Sequence, residues 1–94
     1  MPTYILLSSL TAQGVQTLKS NPARLREVNS DVEELGARVV HQWATLGPFD
    51  FVNVVEAPDI ETIARVSVAL GARGSAKLQT LTALTIDEFL SALA

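Results

Sequence analysis

The chain has 94 residues and a mass of 10.1 kDa, room for one hydrophobic core and not for two, since domains usually run from about 50 to 250 residues. Hydrophobic residues make up 48% and charged residues 18%, with a mean hydropathy of +0.28, too apolar and too sparsely charged for a disordered chain. A net charge of −3 and the absence of cysteine exclude a basic nucleic-acid groove, disulfides, thiolate catalysis and cysteine-ligated metal centres.

The opening Met1-Pro2-Thr3-Tyr4 carries no basic segment, and the apolar run Ile5-Leu6-Leu7 stops at Ser8-Ser9. The chain therefore reads as a cytoplasmic protein with neither a signal peptide nor a membrane span. Tyr4 to Leu7 is the first strand, short and rich in strand formers. Thr11 can cap a short helical turn through Leu18, and Asn21-Pro22 interrupts it, because the residue before proline is pushed out of the helical region. Asn21 as N-cap and Pro22 at the first helical position then open a new helix. In it Leu25, Val28, Val32 and Leu35 recur at spacings of three, four and three, so they form one stripe, and Gly36 ends the helix.

Ala37 to Leu46 and Phe51 to Val55 read as a second and a third strand joined by the turn Gly47-Pro48-Phe49-Asp50, with proline at the position where its fixed φ is favoured. Pro58-Asp59 opens the next helix, with Ile60, Ile63, Ala64 and Leu70 inward and Gly71 as stop. After the loop Arg73-Gly74-Ser75, Lys77 to Ala83 is the fourth strand. Thr85-Ile86-Asp87-Glu88 is a capping box that starts a short tail helix from Ile86 to Leu93.

The order β-α-β-β-α-β predicts an α+β, ferredoxin-like fold: a four-stranded antiparallel sheet, helices on one face, a short C-terminal helix, and strands one and three in the centre. The central strands, with Ile5, Leu6, Leu7, Val52, Val54 and Val55, are apolar with little regard to face, whereas the edge strands alternate with Arg38, Gln42, Lys77, Gln79 and Thr82. Two helices cover one sheet face, and the tail helix is too short to cover the other. A second copy of the chain is the simplest cover, so a homodimer or a higher homo-oligomer is expected.

Candidate site residues are few. Cross-strand parity places Val39, His41 and Trp43 on one face with Asp50, Val52, Val54 and Glu56, and Gln42 on the other with Asn53, unless a bulge intervenes. His41 is the only histidine, and Glu56 lies roughly opposite it. A carboxylate beside an imidazole makes a general base, while two strand-end groups meeting solvent make none. One histidine with scattered carboxylates is no transition-metal set, and no cofactor is called for. Trp43 suits either packing or an aromatic pocket. Asn53, an amide in a central strand, needs a partner: Gln42 across the hairpin, a water, or a cavity. Tyr4 is a core anchor or a hydrogen-bond donor into such a cavity. Asp50 closes the turn through backbone N–H groups or contacts a ligand. Arg73-Gly74-Ser75 offers a cation on a flexible backbone, exposed to solvent or holding an anion, without any Gly-rich phosphate signature.

Thr45-Leu46-Gly47-Pro48-Phe49-Asp50-Phe51-Val52, together with Glu56-Ala57-Pro58-Asp59, Thr11-Ala12-Gln13-Gly14 and Asn21-Pro22-Ala23-Arg24, resembles the GYD domain family, small bacterial proteins with a Gly-x-Tyr-Asp turn. The resemblance runs from Tyr4 to Ala83, and Phe49 stands where the family has its tyrosine. It implies one domain over residues 1–94 and an assembly of the dimeric α/β-barrel type, in which two sheets face each other. The matching positions are Gly47, Asp50, Glu56, Pro58, Asp59, Gly74 and Thr80. Similar folds include cofactor-free monooxygenases, lactone isomerases and ligand-sensing modules, an analogy of fold only. Two functions follow as expectations. One is a homo-oligomeric binding or regulatory module with a small apolar or mixed ligand between facing sheets, near Tyr4, His41, Trp43 and Asn53. The other is a cofactor-free enzyme using His41 with Glu56 or Asp50.

Overall fold

The computed structural model describes residues 1–94. Strand β1 is Thr3–Leu10, followed by helices α1, Ala12–Ser20, and α2, Arg24–Glu34. Strands β2, Arg38–Ala44, and β3, Phe51–Glu56, lead to α3, Ile60–Gly71, then β4, Ala76–Ala83, and α4, Ile86–Leu93. The four strands form one antiparallel sheet in the order β2-β3-β1-β4, so β1 and β3 are central as their apolar composition predicts.

Helix ends follow local chemistry. The Thr11 hydroxyl accepts the Gly14 N–H at 3.1 Å and starts α1. Asn21 does not cap α2 with its side chain. Its backbone carbonyl accepts the Arg24 N–H at 3.0 Å, and the helix begins after Ala23, which supplies no side-chain cap. The segment after β1 is thus two full helices where a turn and one helix are predicted. At the other end of α2, Gly36 at φ 100° lets the Ala37 N–H reach the Val32 carbonyl at 3.3 Å and the Gly36 N–H the Glu33 carbonyl at 3.0 Å, a Schellman closure.

Asp59 starts α3 by accepting the Thr62 N–H at 2.8 Å and the Thr62 hydroxyl at 2.6 Å. With its hydroxyl satisfied, Thr62 is buried beside Ile63 and Val66, while Ile60 and Ala64 face solvent. The inward stripe is therefore rotated from the predicted one. The bonds from Thr62, the hydroxyl first, hold the Asp59 carboxyl below its ordinary range. A lowered folded-state pKa favours the charged form, so this stabilisation is present above the ordinary carboxylate range and is lost as pH falls through the folded value. Asp59→Asn keeps an amide oxygen at the cap. It is expected to unfold with a flatter acid profile below about pH 4 and nearly unchanged stability at neutral pH, measured by urea titration. Identical acid profiles for the two proteins would contradict that.

The core is a single cluster of Tyr4, Leu6, Val32, Ala37, Val55, Ala57, Ile63 and Val66, with Leu35, Val39, Leu70 and Leu78 packed around it. It lies between the sheet and the helices α2 and α3. The opposite sheet face is covered by no segment of the chain. The capping box of α4 forms as its sequence predicts, but none of that helix's residues is buried. Its stripe Ile86, Phe89, Leu90 and Leu93 is exposed. The molecule accordingly extends 50 Å along its long axis, and its radius of gyration of 14.0 Å exceeds the roughly 12 Å expected of a compact chain this long.

Candidate functional site

A bulge in β2 moves Val39 and leaves the candidates on the faces that alternation predicts. Val39 pairs with Val55, but His41, not Val40, is the next partner, opposite Val54, followed by Gln42 with Asn53 and Trp43 with Val52. Val39 therefore joins the core side, a correction to simple alternation. His41 and Trp43 stay on the open face, their rings stacked with centroids 5.4 Å apart. Glu56 lies opposite Arg38, not His41, and takes the Arg38 guanidinium as its partner. That hydrogen bond holds the Glu56 carboxyl below its ordinary range. The imidazole–carboxylate pair expected of a general base is thus absent.

Tyr4 is 3% exposed within the core cluster and belongs to the helix side of the sheet. Asp50 does not close a four-residue turn. The β2–β3 loop spans residues 45–50, held by Thr45, whose N–H donates to the Asp50 carbonyl at 2.8 Å and whose hydroxyl donates to the Phe49 carbonyl at 2.6 Å. The Asp50 carboxylate reaches across to accept the Leu10 N–H at 2.7 Å, and the Asp50 N–H donates to the Ser8 carbonyl at 2.8 Å. It ties the loop to the end of β1. The candidates are thus divided: His41, Trp43 and Glu56 on the open face, Tyr4 and Asn53 beneath the helices, Asp50 at the corner.

The open face is apolar in its middle. Ile5, Leu7, Val52 and Val54 are half-buried by their neighbours, while Leu81 is 45% and Trp43 52% exposed. Charged and polar groups stand around them: the Arg38–Glu56 pair, Lys77 and Gln79.

Beneath the helices lies a cavity of about 120 Å³. Its walls include Leu18, Leu25, Val28, Phe51, Leu70 and Leu78, and its polar lining includes Ser8, Gln42, Asn53, Arg24 and Arg73. Gln42 is not free to pair with its strand neighbour Asn53. It exchanges two amide bonds with Asn29 of α2, at 3.0 and 3.2 Å. The Asn53 Oδ1 is left buried without a hydrogen-bond partner, and so is the Arg73 Nη1. The other terminal Arg73 nitrogen, Nη2, donates to Asp31 Oδ2 at 2.5 Å. In the sequence Asn53 and Arg73 belong to separate elements, β3 and the α3–β4 loop. Their meeting in one cavity depends on the α3–β4 loop folding against α1, which no local pattern encodes.

A four-stranded sheet ordered β2-β3-β1-β4 under packed helices is the ferredoxin-like α+β arrangement. Residues 4–93 match the family model described as GYD domain, and the chain belongs to the GYD domain family. It is 51% identical over 94 residues, 99% of each chain, to a Thermus thermophilus protein named glutamine synthetase and cystathionine beta-lyase binding protein. Its fold is similar to the crystal structure of TTHA0845 from Thermus thermophilus, with a TM-score of 0.57 at 23% identity over 90% of this chain and 95% of that one. No helix is long and apolar enough to cross a membrane.

Proposed function

We propose that this protein is a single-domain homo-oligomeric binding module of the cytoplasm, whose two copies meet through the open sheet faces and which docks on enzymes of amino-acid metabolism to regulate them. The observation that carries the docking reading is the 51% identity along 99% of a relative named for binding glutamine synthetase and cystathionine beta-lyase.

The sheet supports self-association. Four strands at about 4.8 Å spacing and about 3.3 Å per residue make a face roughly 19 Å by 25 Å. That face, about 475 Å² in projection, together with the separately exposed α4 stripe, approaches the ~800 Å² per partner that a specific dimer buries. A monomer exposing that much contiguous apolar surface is uncommon. The enzyme reading has less support, since His41 stacks on Trp43 and Glu56 is held by Arg38. The seating of Tyr4 and Asn53 beneath the helices likewise argues against a ligand pocket built from all four residues between facing sheets.

Purified protein mixed with purified glutamine synthetase, and separately with cystathionine beta-lyase, is expected to co-elute with at least one of them in gel filtration, with saturable stoichiometry. Independent elution from both enzymes would overturn the docking reading.

A further inference from the structure

The cavity beneath the helices carries chemistry that neither self-association nor docking uses. Its two orphaned atoms are complementary in kind. Arg73 Nη1 is a permanently charged donor without an acceptor, and Asn53 Oδ1 is an acceptor without a donor. A buried polar group without a partner is costly, so an occupant able to satisfy both is favoured. Asp31 grips Arg73 through Nη2, fixing the guanidinium with Nη1 left over. Arg24 lines the same space with its own charge paired to Glu27 at 2.9 Å, which leaves Arg73 Nη1 as the donor a carboxylate would meet. The remaining wall is mostly aliphatic, suited to a short apolar side chain. A volume of about 120 Å³ limits the guest to about six non-hydrogen atoms, given that a cavity of ~150 Å³ takes benzene. An open trough adjoins the cavity through Leu10, Leu18, Leu25 and Phe51, with Lys19 and Asp50 in its lining, and offers a way in.

We propose that this cavity binds a small α-amino or α-hydroxy acid, with its carboxylate on Arg73 and its amino or hydroxyl donor on Asn53. The site lies on the opposite side of the sheet from the dimer face and is complete within one chain.

The test is a titration of ¹⁵N-labelled protein with L-alanine, L-lactate and propionate, the last lacking the donor, followed by amide chemical shifts. Saturable shifts centred on Ser8, Asn53 and Arg73 are expected for L-alanine or L-lactate, with binding at least about tenfold tighter than that of propionate, the worth of one good hydrogen bond. Arg73→Gln is expected to weaken binding about tenfold or more, and Asn53→Leu to abolish the preference over propionate. Three results would overturn the proposal: no saturation with either acid, equal binding of propionate, or unchanged binding in both variants. A crystal grown with L-alanine that holds only water in the cavity would do the same. Because the titration uses this protein by itself, its failure leaves enzyme docking untouched, and failure of docking leaves the cavity's ligand untouched.

Discussion

Replacing Gly14 with alanine is expected to lower the thermal unfolding midpoint by roughly 15–25 °C, which for a domain of this size corresponds to about 3 kcal/mol or more. Gly14 is buried in α1, and a Cβ there would stand 1.9 Å from the Ser75 carbonyl oxygen and 2.9 Å from its carbon. The obstacle is backbone and cannot turn aside, so the helix and the α3–β4 loop must separate by more than an ångström. That separation breaks the Thr11 N–H bond to the Ser75 carbonyl at 3.0 Å and the Thr11 hydroxyl bond to the Gly74 carbonyl at 2.8 Å. Overpacking of this kind costs about 1–3 kcal/mol, and each lost hydrogen bond adds about 1 kcal/mol. Calorimetry of the variant beside the parent measures the sum. A midpoint within about 3 °C of the parent would mean that α1 does not approach Ser75 so closely.

Leu7→Asp is expected to weaken self-association more than 100-fold while leaving the single chain folded. Leu7 lies in the middle of the open face, next to Val52 on β3 and Gln79 on β4. In a sheet-to-sheet dimer an aspartate there is buried without a pre-formed partner: Arg38 is committed to Glu56, and Lys77, two residues from Gln79 on the same face of β4, must give up its exposed position to reach it. Burying an unpaired carboxylate costs at least several kcal/mol, and about 2.8 kcal/mol is a factor of 100. In the separated chain the same position is only half-buried, so the charge can reach water and the far-ultraviolet circular dichroism should be unchanged. Retention of the parent's association constant would place the contact elsewhere on the molecule.

The sheet order was legible because its signals are local. Pro48, Pro58 and Gly36 punctuate the chain, and the central strands are apolar on both faces, a pattern edge strands do not need. The Thr85–Glu88 capping box was legible for the same reason, as a bond pattern within four residues. The features without a local signature are non-local or conformational. The bulge at Val40 moves Val39 to the core side, and the longer β2–β3 loop, which pairs Ala44 with Phe51, sets His41 opposite Val54 and away from Glu56; neither leaves a mark in the local sequence. Periodicity in α3 allowed two stripes, and the choice fell to Thr62, which can be buried only because Asp59 accepts its hydroxyl. Asp50 looked like a turn residue because its bond to Leu10 spans 40 positions. Asn53 did announce itself, as an amide in an apolar central strand. Why it remains unpaired was hidden, because its natural partner Gln42 is engaged by Asn29 across the layer.

Closure of the open sheet face by a second copy of the chain is tested most directly by sedimentation equilibrium at micromolar concentration, which needs no label. The predicted result is a particle of about twice the 10.1 kDa chain mass or a larger multiple, with Leu7→Asp sedimenting as the single chain under the same conditions. A parent protein that sediments at 10.1 kDa across that range would contradict it.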